Sequence, residues 1–198
     1  EQAEWQRVYT RIDSICSHAA AKNVMVLIDA EETWIINPCN ELTEAMIEKY
    51  NKDKVIVFTT YQLYCSGTLP FLEESIVKAK RLGYLLGAKL VRGAYMEKER
   101  LRAAEMGYPD PIQPDKAATD RDFDQAVELC LNNLDALAVF IGSHNEDSNL
   151  KSIALMERLG IAHDDRRVYF SQLLGMSDHI SFNLAAEHYN VSKYMPYG

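Results

Sequence analysis

An α/β fold of the (β/α)8 TIM-barrel type, incomplete at six βα units, is predicted by two observations. Six short, nearly continuous apolar runs alternate with helical patterns along the chain. Such repetition makes right-handed βαβ units and a parallel sheet covered on both faces. Polar residues also recur at the C-terminal ends of different runs: Asp29, Gln62, Tyr95, His144, Ser171 and Tyr194. A barrel draws its site from such scattered strand ends. No GxGxxG or Walker-type loop follows any run, which weakens a Rossmann or P-loop reading.

Taken in order, a polar helix over 1–22 precedes a strand over 24–30. Strands follow at 55–62, 88–95, 138–144, 168–174 and 192–197, rich in Val, Ile, Phe and Tyr. Helical patterns occupy 40–51, 70–86, 96–106, 120–137, 147–159 and 180–189. The segment 107–115, GYPDPIQPD, holds three prolines and no periodicity, so it reads as a rigid excursion. A closed eight-stranded barrel needs two more strands than these six.

The 198 residues are read as one domain, 1–198, with 47% hydrophobic and 25% charged residues. A formal net charge of −8 argues against a general nucleic-acid surface. The four cysteines form no CxxC and no zinc-spaced cluster, so they read as reduced structural thiols and no metal site is expected. No apolar run approaches the ~20 residues of a membrane span.

Four groups could carry chemistry. Asp29 ends the first strand and reads either as a helix cap or barrel ion pair, or as a pocket carboxylate. In Ala88–Tyr95, alternation puts Lys89, Val91, Gly93 and Tyr95 on one face and Arg92 on the other, toward the helices and an acidic partner. A lysine inside a barrel holds an anion or cofactor, forms a Schiff base, or sits in a structural ion pair. His144 and Asn145 place two hydrogen-bonding side chains at one strand end. Asp115–Asp120 opens a helix, where Lys116 and free N–H groups suit a phosphate.

Six pieces carry a resemblance. They are IDAEET at 28–33, FTTYQ at 58–62, AKLVRGAYMEKERLRAAEMGY at 88–108, GSHNED at 142–147, YFSQLLGMSDHISF at 169–182 and KYMPYG at 193–198. Together and in this order they resemble the proline dehydrogenase family across nearly the whole chain. The resemblance implies FAD at the C-terminal ends of the strands, with Lys89 beside the flavin N5. It implies FAD contacts from Asp29, Ala30, Gln62, Val91, Gly93 and Met96. Lys116 and Thr119 match positions near the pyrophosphate, and His144 and Asn145 match further FAD contacts. Tyr95, Leu173 and Tyr194 match the shelf that packs on the proline ring.

The implied reaction moves a hydride from C5 of L-proline to flavin N5, giving Δ1-pyrroline-5-carboxylate, and electrons pass on to a membrane quinone. Lys89, Asp29 and Tyr194 are its implied catalytic residues. In hydroxyproline-oxidising relatives the position of Tyr194 is a serine, so tyrosine favours proline over hydroxyproline. The enzyme is expected to be cytoplasmic and membrane-associated in a bacterium, and mitochondrial in a eukaryote.

The family's carboxylate clamp, Tyr-x-x-Arg-Arg on a last helix, has no match here; Arg166-Arg167 precedes a strand, at the wrong end of the barrel. The expectation is therefore a fragment lacking strands one and two and that helix, which binds proline and FAD poorly alone. Two competing readings are a Schiff-base lyase or aldolase using Lys89, and an inert fragment.

Overall fold

The computed structural model describes residues 2–197. Helix α1 (Gln2–Lys22) leads into strand β1 (Val26–Ile28), a 3-10 turn (Thr33–Ile35) and α2 (Ile36–Tyr50). Then come β2 (Val57–Gln62), α3 (Thr68–Leu82), β3 (Leu86–Val91) and α4 (Met96–Met106). Helix α5 (Lys116–Leu131), β4 (Leu137–Gly142), α6 (Glu146–Leu159), β5 (Val168–Leu173), α7 (Asp178–Ala186) and β6 (Val191–Tyr194) complete the chain.

The six strands form one sheet in the order β1-β2-β3-β4-β5-β6, every pair parallel. A doubly wound sheet reverses direction partway; this one never does, and that is the winding of a barrel. The sheet curls: Lys89 on β3 brings its ammonium to 5.4 Å from the ring of Tyr194 on β6, three strands away. It is an incomplete TIM-barrel type, as the alternation of elements predicts.

Period-two alternation sorts each strand into two faces. Val57, Tyr61, Leu86, Ala88, Leu90, Val139 and Ile141 join the helices in the main core. On the concave face Phe58, Ala138 and Phe140 form a separate cluster, with Phe58 edge-on to Phe140 at 5.0 Å and Phe140 stacked on Tyr169 at 4.6 Å. This aromatic layer plugs the trough at the level of Lys89, which is in register with Phe140 and Thr60. The polar residues lie at and beyond that level, toward the C-terminal strand ends.

Several boundaries differ from the sequence reading. Strand β3 ends at Val91 rather than Tyr95, because Gly93 turns out of the ladder at φ +126° and Tyr95 becomes the N-cap position of α4. Helix α3 stops at Leu82, where Gly83 adopts the left-handed conformation, so Leu86 is free to open β3. Helix α5 begins four residues before Asp120, because the Asp115 side chain caps it by accepting from Ala118 N–H. It also ends at Leu131, well short of 137. Strand β6 ends at Tyr194, short of 197, and residue 1 lies outside the described residues.

Candidate active site

A cavity of about 560 Å3 opens at the C-terminal strand ends, within the usual range for a ligand site. Every strand contributes to it, directly or through the loop that follows. Asp29, Ala30 and Glu31 come from the β1 side, Thr60 and Gln62 from β2, and Lys89 and Val91 from β3. The loop after β3 adds Arg92, Gly93, Ala94 and Tyr95, and Lys116 comes from α5. Gly142, Ser143, His144 and Asn145 follow from β4, then Ser171, Gln172 and Leu173 from β5 and Tyr194 from β6.

Lys89 sits at the centre. Its ammonium donates to Asp29 Oδ1 at 2.7 Å, and Thr60 Oγ donates to the same oxygen. Both side chains of the ion pair are mostly shielded, Lys89 at 13% and Asp29 at 27% exposed, so solvent screens the pair less than a surface one. The pocket-carboxylate and ion-pair readings of these residues are therefore one arrangement.

Arg92 faces the helices and has an acidic partner, as alternation predicts. Its Nε donates to Asp120 at 2.7 Å, and its two Nη donate to Ser143 Oγ and Ser148 Oγ at 2.9 Å each. The guanidinium lies 4.3 Å from the centre of the Phe123 ring. It nevertheless forms part of the cavity wall, which the sequence reading did not expect. Lys116 joins Arg92 on Asp120. Burial opposes the charge on Asp120, but the bonds from Lys116 and Arg92 outweigh it and hold the carboxyl below its usual range.

His144 shares a hydrogen bond of 3.0 Å between Nδ1 and Ser177 Oγ. Burial, then the nearby Lys193 charge, lowers its pKa and favours the neutral ring. Asn145 uses its side-chain oxygen to cap α6, accepting from Ser148 N–H at 3.0 Å. Gln62 turns its amide N–H groups on the rim, donating to Ala30 O at 2.6 Å and Glu31 O at 3.0 Å.

Tyr95 donates to Glu31 at 3.2 Å, which raises the pKa of its phenol. Leu173 and Tyr194 are direct register partners on β5 and β6, both substantially exposed, and form one apolar patch of the wall. Two anticipated contacts are not on the wall. Met96 opens α4 at 44% exposure, and the Thr119 hydroxyl turns back onto Asp115 O at 3.3 Å.

The chemistry of this donor set fits a flavin. Lys89 and Lys116 bring ammonium groups to the wall, held by Asp29 and Asp120, while Val91, Leu173 and Tyr194 give apolar surface for a ring system. Among the described residues no cluster of His, Cys, Asp and Glu could hold a metal. Arg166-Arg167 stands at the opposite end of the strands, where Arg167 pairs with Asp165 at 2.6 Å.

Thr60 and Gln172 were missed as wall residues, and the bond from Tyr95 to Glu31 was not foreseen. Thr60 was legible: it stands between Phe58 and Gln62 on the inward face of β2. Gln172 was not, because its burial is set by Ser181 of α7 and Ser143 O.

The sequence model described as proline dehydrogenase matches residues 2–198. The chain is 41% identical over 201 residues to human mitochondrial proline dehydrogenase 1, covering 100% of this chain and 34% of that protein. It is 39% identical over 208 residues to the Drosophila melanogaster protein of the same name, covering 100% of this chain and 30% of that protein. A hydroxyproline dehydrogenase of Xenopus laevis is 38% identical, covering 100% of this chain and 43% of that protein. The chain thus spans about a third of the length of the first two. In fold it is similar to proline utilization A from Bdellovibrio bacteriovorus inactivated by N-propargylglycine, with a TM-score of 0.91 at 22% identity, covering 100% of this chain and 20% of that one. The ordered match over the whole described chain and the barrel winding agree, and the chain belongs to the proline dehydrogenase family.

Proposed function

We propose that this chain forms the flavin and substrate surface of an FAD-dependent proline dehydrogenase, oxidising L-proline to Δ1-pyrroline-5-carboxylate. The observation that carries the reading is the Lys89 ammonium on the cavity wall, between the Asp29 carboxylate and the Tyr194 ring. When bound, FAD would supply the two-electron acceptor for a hydride from proline C5. The reaction is balanced by loss of the ring N–H proton to solvent.

This chain's residues bind and orient. Asp29, Ala30, Gln62, Val91, Gly93, His144 and Asn145 would surround the flavin, with Lys116 toward its phosphates. Lys89 gives positive charge where negative charge develops, and Asp29 and Thr60 fix its position. Tyr95, Leu173 and Tyr194 would pack on the proline ring and exclude water. The bulk of Tyr194 favours proline over its 4-hydroxylated analogue, which a comparison of kcat/KM for the two tests directly.

A membrane quinone is the proposed electron acceptor, reached by peripheral association with the membrane. Among the described residues no helix is long and apolar enough to cross a membrane. Curated relatives from fly and human are named mitochondrial, which supports that compartment for a eukaryotic source.

The test is Lys89→Ala in the flavin-loaded full-length protein. We expect flavin absorbance to remain and turnover with proline to fall by about a hundredfold or more, the scale of losing one preorganised electrostatic contact. Turnover at the wild-type rate would refute the reading.

A further inference from the structure

We propose that Glu99 is a positioning residue, whose buried carboxylate latches the Ala30–Thr33 rim of the cavity through Thr33 and so fixes Asp29 against Lys89. This inference rests on reading the cavity as a flavin and proline site. Glu99 lies in the first turn of α4, is fully buried, and does not line the cavity. Its Oε1 accepts from Thr33 N–H at 2.9 Å, and its Oε2 from Thr33 Oγ at 2.5 Å.

Thr33 opens the 3-10 turn, where a free N–H needs a cap. The residue in the N-cap position, Glu32, makes no side-chain cap bond. Glu99, 66 residues further along the chain, provides the cap instead. No Lys, Arg or His among the described residues pairs with it. An unpaired buried carboxylate is costly, and an apolar side chain would fill the same space without that cost. What the carboxylate adds is a fixed place for Thr33.

The rim is gripped on both sides. Gln62 holds Ala30 O and Glu31 O from β2. From α4 and its cap, Tyr95 bonds Glu31, Lys98 bonds Glu32 at 2.7 Å and Glu99 bonds Thr33. The Lys98 pair is solvent-facing and screened; the Glu99 bonds are not. Asp29 stands one residue before this segment, so a rim that drifts takes the partner of Lys89 with it.

The experiment uses the flavin-loaded full-length protein and reads two quantities, kcat/KM for proline and the reduction potential of the bound flavin. Glu99→Ala should lower kcat/KM by about tenfold or more, as expected for a misplaced binding group. It should also shift the potential positively, because Lys89 is then less neutralised. Glu99→Gln, whose amide oxygen can accept from Thr33 N–H while its NH2 donates to Thr33 Oγ, should restore both. Asp29→Asn as a single substitution should raise the potential, and adding Glu99→Ala should raise it no further.

Wild-type values in Glu99→Ala, or a shift that adds in full to that of Asp29→Asn, would overturn the proposal. If Glu99→Ala does not fold, Thr33→Val decides: a smaller positive shift supports the latch and no shift overturns it. Wild-type protein that binds flavin but leaves proline unoxidised would sink the functional reading instead, and the potentials would still decide the latch.

Discussion

Gly93→Ala tests whether the loop after β3 is shaped by its backbone or by what surrounds it. Gly93 holds φ +126°, a conformation that a side chain strains by about 1–3 kcal/mol. A Cβ placed there would stand 2.4 Å from Cδ1 and 2.5 Å from Cε1 of Tyr64. That ring is itself buried, packed with Cys65 and Ile112, so it has no free direction in which to move. Overpacking of this kind costs about 1–3 kcal/mol, for a combined cost of roughly 2–6 kcal/mol. The loop also carries Arg92 and Tyr95, so flavin binding should weaken along with stability. The assay is urea unfolding of the full-length protein followed by far-UV circular dichroism, repeated in a Tyr64→Ala background. Without the ring only the backbone strain remains, so the cost of Gly93→Ala should fall to about 1–3 kcal/mol there. A cost under ~0.5 kcal/mol in the wild-type background, or the same cost in both backgrounds, would refute the reasoning.

Asn51 is fully buried, and its amide accepts from Ile56 and Val57 N–H and donates to Val57 O and Leu85 O. Asn51→Ala should destabilise by about 3 kcal/mol or more in chemical denaturation, since several buried groups lose partners together; a loss under ~1 kcal/mol would contradict this. Hydrogen bonds from Arg167 hold the Asp165 carboxyl below its ordinary pKa. Its folded pKa is depressed, so its stabilisation is present above the unfolded value of about 3.9 and lost as pH falls through the folded one. Asp165→Asn should therefore flatten the decline of stability below roughly pH 4, and equal slopes for variant and wild type would count against the pair.

The fold was legible where physics is local. Val57–Gln62 reads as a strand because β-branched and aromatic residues fill both faces, and it is one. The pairing of Arg92 with an acid of the helical layer followed from strand alternation alone. Boundaries failed where one residue changes conformation. Gly93 ends β3, yet a glycine within an apolar run leaves the same trace as one kept in the strand. Met96 and Thr119 stand beside the cavity in sequence but not on its wall, because a helix start points only some of its side chains inward. The Glu99–Thr33 contact left no local signal, since two residues 66 apart meet only once the sheet has curled.

The order of the sheet has a consequence for how the molecule assembles. Each of the six described strands pairs with its neighbours along the chain, about one βα unit away. Closing so short a loop costs little more entropy than closing one half its length. Among the described strands none must wait for a distant partner, so these six can be laid down unit by unit as the chain leaves the ribosome. The cavity matures last, because its wall joins Asp29 beside the first strand to Tyr194 on the sixth.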